Sequence, residues 1–191
     1  MKPTDISYTV DRRSDTGVNN VTLGIWLFLA SEVMLFGALF SSYALLRVNA
    51  AHWPLGRTVL NLPLGAINTV VLLAGTISIW RARRIGVAGH RWVWLSSLAS
   101  VVFLGVKALE WRGEIGQGLV PAVSTFLAMY FTLTGLHALH VACGAIANVW
   151  AVTGTRRVGA PMTANRIAAL ALYWAFVEVV WIVIFVLMYL L

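Results

Sequence analysis

Polar residues are sparse along this chain, and their positions divide it into five long apolar stretches at about residues 21–46, 62–80, 92–110, 124–152 and 167–191. At a helical rise of about 1.5 Å per residue, each is long enough to cross a hydrocarbon layer roughly 30 Å thick. The predicted fold is all-α, an integral membrane bundle of five transmembrane helices over residues 21–191 behind a polar tail, residues 1–20. The connections are short and rich in Gly, Pro and Arg, with no internal repeat and no separate soluble domain. The first apolar run is too long for a signal-peptide core, so no cleaved leader is expected.

The polar residues inside these stretches are the candidates for chemistry. Between Val21 and Leu46 the only charged side chain is Glu32. A carboxylate at that depth costs several kcal/mol if ionised and unpaired, so it is expected to be protonated or to face partners inside the bundle. A purely structural interhelical hydrogen bond is the plainer reading. The second stretch carries Asn68, Thr69, Gly75, Thr76 and Ser78, small and hydroxylated residues that suit close helix contact. In the third, Ser96, Ser100, Lys107 and Glu110 fall on one stripe, and Lys107 and Glu110 can either pair near the outer end or snorkel to the interface. In the fourth, His137 and His140 are three apart and are expected to share a face, which Gly144 continues. A His-x-x-His pair is a weak metal signal; no other span offers a histidine, since His52 and His90 fall in loops, so no metal site is expected on this chain alone. The fifth places Glu178 between Trp174 and Trp181 on one face.

Counted from the same side of the membrane, Glu32, Asn68, His140 and Glu178 each lie eleven or twelve residues into their spans. That is roughly 16–18 Å of helix rise. The expectation is a polar layer in which Glu32 meets His140 or Glu178, either to exchange protons or to hold helices in register.

Composition fits a membrane bundle: the 191 residues are 60% hydrophobic and 11% charged, against about 25% charged in soluble domains. The net charge of +7 is not gathered into a nucleic-acid patch. Ten basic residues (Lys2, Arg12, Arg13, Arg81, Arg83, Arg84, Arg91, Arg156, Arg157, Arg166) fall on one side, against Arg47, Arg57 and Arg112 on the other. This asymmetry predicts a cytoplasmic N-terminus and an outside C-terminus. Trp53, Trp80, Trp92, Trp94 and Trp111 lie near span ends, where indoles prefer to sit, although any one of them can equally be a core residue. Cys143 is the single cysteine, which excludes an intrachain disulfide and a thiolate cluster.

Five segments in order resemble subunit III of haem–copper cytochrome c oxidases. They are Trp26-Leu-Phe-Leu-Ala-Ser-Glu-Val-Met-Leu-Phe, Trp53-Pro-Leu-Gly leading to Asn61-Leu-Pro-Leu-Gly-Ala-Ile-Asn-Thr, Lys107-Ala-Leu-Glu-Trp, Thr134-Gly-Leu-His-Ala-Leu-His-Val and Tyr173-Trp-Ala-Phe-Val-Glu-Val-Val-Trp. The likeness covers nearly the whole chain after residue 20 and is to the short, five-helix bacterial form. It implies a non-catalytic subunit of the bacterial cytoplasmic membrane that packs beside subunit I, binds structural phospholipid and supports proton uptake and turnover stability. Haem and copper are then expected on partner subunits I and II and none on this chain. Glu32 stands where the family has its intramembrane glutamate, and His137 and His140 match its paired histidines. The fifth span departs, with Ala175 for the usual histidine and Glu178 for the usual aspartate. Arg156, Arg157 and Arg166 are candidates for phosphate headgroups, with positive-inside topology as the plainer explanation. The alternatives are an accessory subunit of a nitric oxide reductase and an independent proton-coupled transporter. The second lacks the inverted repeat and broken helices such proteins use.

Overall fold

A computed structural model describes residues 11, 14–153 and 160–191, with no β-strand among them. The helices are α1 (Asn20–Asn49), a short α2 (Gly56–Val59), α3 (Leu62–Ile85), α4 (His90–Gly116), α5 (Thr125–Thr153) and α6 (Ala160–Phe185). A final widened π turn, Val186–Leu190, follows α6. Among the described residues, five helices are long and apolar enough to cross a membrane.

The helices outrun the apolar stretches because polar side chains cap them and good helix formers extend them past the hydrocarbon. Asn19 Oδ1 accepts from the Thr22 amide at 2.8 Å to start α1. Asn61 does the same for α3, with Pro63 in the first turn where a missing N–H costs nothing. Ser124 Oγ accepts from Leu127 N at 3.2 Å at the head of α5. At the foot of α4, Gly118 turns left-handed at φ 79°. There Leu119 N donates to Glu114 O and Gly118 N to Ile115 O, both at 3.0 Å, the hydrogen-bond pair of a glycine-terminated helix.

The central helix is α6, which packs against α1, α3 and α5. Small residues set the approach distances. A Cβ on Gly144 of α5 would lie 2.8 Å from the rings of both Trp174 and Tyr173. One on Gly75 of α3 would lie 3.0 Å from the Ala99 methyl of α4. The small-residue face expected on the second stretch is the buried one: Asn68, Gly75, Thr76 and Ser78 all point inward. By contrast, α1 is the outermost helix and buries only Leu29, Phe36 and Tyr43, one stripe at seven-residue spacing. Near its end, Tyr43 donates to Leu187 O at 2.8 Å and Arg47 donates to Leu191 O at 3.2 Å. These bonds satisfy carbonyls that a helix end leaves without intrahelical partners.

Arg81 over Trp92, Arg83 over Trp80 and Arg91 over Trp92 form cation–π contacts at the end of the bundle where α3 stops and α4 starts. Trp94 is exposed there, so these indoles sit where interfacial anchors would. Trp53 differs: it is partly buried, with ring edges against Tyr43 and Phe126.

Candidate functional site

Glu32 lies on the buried stripe of α1, between Leu29 and Phe36. Across from it, His140 Nε2 of α5 is 2.9 Å from Glu32 Oε2. The other imidazole nitrogen, Nδ1, is 2.8 Å from the Leu136 carbonyl, which can only accept, so Nδ1 carries a hydrogen. One proton is therefore shared between Nε2 and the carboxylate. Whether it rests on carboxyl or imidazole, the pair as a whole stays neutral, which is how two ionisable groups are tolerated at this depth. Tyr173 of α6 donates to the His140 carbonyl at 2.8 Å, and the Phe36 ring meets the imidazole edge-on at 5.1 Å. The site thus ties α1, α5 and α6 together.

His137 does not join it. Three residues on a helix leave side chains about 60° apart, and on α5 that is enough to send the two imidazoles to different neighbours. His137 is fully buried, stacked on Trp181 at 5.2 Å with Phe103 edge-on at 5.6 Å. Neither of its ring nitrogens has a hydrogen-bond partner among the described residues. The expectation of a shared histidine face is therefore corrected.

Glu178 does not meet Glu32 either. Its Oε2 accepts from Thr76 Oγ1 of α3 at 3.1 Å. Asn68 is eight residues from Thr76 along α3, about 12 Å of rise, and its amide has no partner among the described residues. The four residues therefore do not form one hydrogen-bonded layer: Glu32 bonds to His140 and Glu178 to Thr76. Helix ends do not coincide with the edges of the apolar runs: α3 continues past Trp80 to Ile85. The two indoles beside Glu178 serve other partners: Trp174 Nε1 donates to Asn148 Oδ1 and Trp181 Nε1 to Thr69 Oγ1, both at 3.0 Å.

Lys107 and Glu110 do pair, at 3.1 Å, and they are buried rather than snorkelling, at 1% and 2% exposure. Around them the structure gathers residues the sequence reading left out: Glu114, Tyr130 and Tyr189. Glu114 continues the Lys107–Glu110 stripe by four residues, a signal available in the sequence. Nothing local pointed to Tyr130 and Tyr189, which arrive from α5 and from the π turn.

Of the basic candidates, Arg156 and Arg157 lie outside the described residues. The Arg166 guanidinium sits 3.9 Å over the Trp150 ring. It borders a largely apolar groove of about 400 Å³ between α1, α5 and α6, lined also by Ile25, Phe28, Cys143 and Leu170. Among the described residues no three His, Cys, Asp or Glu side chains come together as a metal-ligand set. His137 is wedged between the Phe103 and Trp181 rings, and His140 Nε2 faces Glu32, so the two histidines of α5 do not converge as a ligand pair for a haem iron or a copper ion.

Five long apolar helices around a polar, hydrogen-bonded interior define a multi-pass membrane protein whose buried ionisable groups pair with side chains of neighbouring helices. Residues 9–191 match the family cytochrome c oxidase subunit III, and the chain belongs to that family. It is 31% identical over 197 residues to cytochrome bo(3) ubiquinol oxidase subunit 3 of Pseudomonas aeruginosa, covering 97% of this chain and 91% of the relative. With cytochrome c oxidase subunit 3 of Thermostichus vulcanus it shares 34% over 176 residues, covering 88% and 86%. A haem–copper oxidase subunit I+III of Aeropyrum pernix is 31% identical over 186 residues, which cover 90% of this chain and 23% of that longer one.

Proposed function

We infer that this chain is the non-catalytic subunit III of an aerobic respiratory terminal oxidase in a bacterial cytoplasmic membrane. The observation that carries the reading is the family match over residues 9–191, nearly the whole chain. Haem and copper then reside on partner subunits. The relative named subunit I+III joins the two subunits in one polypeptide, which supports a position beside subunit I. The arginine asymmetry between the two ends supports a cytoplasmic N-terminus.

In this reading the Glu32–His140 pair holds α1 against α5 with a shared proton and contributes to sustained proton uptake. The groove beneath Arg166 takes a phospholipid, its acyl chain along Ile25, Phe28 and Leu170 and its phosphate on the guanidinium. Purification in mild detergent tests the assignment. A complex that retains this chain, shows haem absorbance and consumes oxygen is the expected result. Nitric oxide reduction without oxygen consumption would reassign the chain to a reductase, and a haem-free chain that moves a substrate by itself would remove the subunit role.

A further inference from the structure

The cluster around Lys107 can be read by counting protons. A lysine ammonium has three N–H donors, and each has an acceptor here: Glu110 Oε2 at 3.1 Å, Tyr130 OH at 3.0 Å and the Tyr189 hydroxyl. Tyr189 passes its own proton to Glu110 Oε1 at 2.6 Å. Glu110 therefore has the cation on one oxygen and a phenol on the other. Tyr130 has one proton and two carboxylate oxygens within reach, Glu110 Oε1 at 3.1 Å and Glu114 Oε1 at 3.0 Å. Glu114 is left with at most that shared donor. Its Oε2 has no partner among the described residues, and the residue is 4% exposed.

One cation thus serves two buried carboxylates, and Glu114 is the one left over. A buried carboxylate without a counter-charge is strongly disfavoured, so this position calls for one more positive equivalent. Beside it lies a cavity of about 270 Å³ lined by Asn61, Leu64, Gly113 and Gln117 as well as Glu110 and Glu114. Water occupies about 30 Å³ in the liquid, so the space holds several molecules.

We propose that Glu114 is a proton-exchange site, a carboxyl that takes up and returns one proton through water in this cavity, with Lys107–Glu110 as its fixed counter-charge. Uptake forms an O–H bond on the Glu114 carboxyl as a hydronium ion becomes water, and takes the side chain from −1 to neutral; release to water reverses both. The titratable groups facing Glu114 among the described residues are Lys107 and Glu110 on its own helix, Tyr130 from α5 and Tyr189 from the π turn. From α2 and the start of α3 the cavity receives Val59, Leu60, Asn61 and Leu64, none of them titratable. The site is separate from the Glu32–His140 pair and does not depend on the oxidase assignment.

Infrared pH-difference spectroscopy tests it on the full chain, with the subunits it retains, in lipid nanodiscs. The expected result is a carboxylic-acid C=O band that grows on acidification, shifts downward in heavy water and is lost in Glu114→Gln but kept in Glu32→Gln and Glu178→Gln. A difference spectrum unchanged by Glu114→Gln overturns the proposal. Should that variant fail to accumulate, Gly113→Leu fills the cavity from a position where a Cβ meets nothing within 4 Å. It keeps the carboxyl and is expected to lose the fast phase of hydrogen–deuterium exchange in the band. Unaltered exchange in Gly113→Leu equally overturns the proposal.

Discussion

At the scale of single residues, what matters about Glu32 is its partner. The Leu136 carbonyl fixes the proton on His140 Nδ1, leaving Nε2 to share a proton with the carboxyl at 2.9 Å. Glu32→Gln keeps a side chain that can donate to Nε2 but cannot exchange a proton. Its expected phenotype is intact haem spectra and assembly with fewer turnovers before inactivation, read from the progress curve of oxygen consumption. Glu32→Ala also strands His140 Nε2, which costs about 1–3 kcal/mol, and should lower the thermal denaturation midpoint as well. A turnover lifetime equal to the parent's in Glu32→Gln would leave Glu32 with a structural role only.

The element that decides the packing is α6, because its neighbours approach it at positions where they have no side chain. Gly144 is such a position on α5. A leucine there would push into the rings of Trp174 and Tyr173, 2.8 Å from where its Cβ would stand. Overpacking of this kind costs typically about 1–3 kcal/mol. The bonds at stake are Tyr173 to the His140 carbonyl and Trp174 to Asn148. Gly144→Leu is therefore expected to lower the thermal midpoint and loosen retention of the chain by its complex. Gly105→Ala on α4, where a Cβ meets nothing within 4 Å, serves as the control and should match the parent chain.

For the molecule as a whole, the polar interior and apolar exterior follow from its solvent. Lipid offers no hydrogen bonds, so Lys107, Glu110, Asn148 and Trp174 find partners inward while α1 turns Leu27, Val33 and Met34 outward. The groove proposed above for a phospholipid, between α1, α5 and α6, has largely apolar walls and is bordered by Arg166. Arg166→Ala is expected to reduce the phospholipid retained per complex after detergent exchange, measured as lipid phosphate. Arg166→Lys should restore part of it, since charge survives while the planar fork and the stack on Trp150 are lost. Equal retention in all three forms would leave Arg166 to topology alone.

The sequence by itself determined the class, the five spans and the small-residue face of α3, since hydropathy and spacing are local properties that lipid reads directly. It also put Glu32, Lys107, Glu110, His140 and Glu178 forward, because any ionisable group inside an apolar run is conspicuous. Partner choice was not written there. His137 and His140 are near neighbours in sequence, yet a small rotation about α5 sends one to Trp181 and the other to Glu32. Tyr130 and Tyr189 join Lys107 from 23 and 82 residues away. Which groups meet depends on the rotation and depth of each helix, and those are set only when the whole bundle has packed.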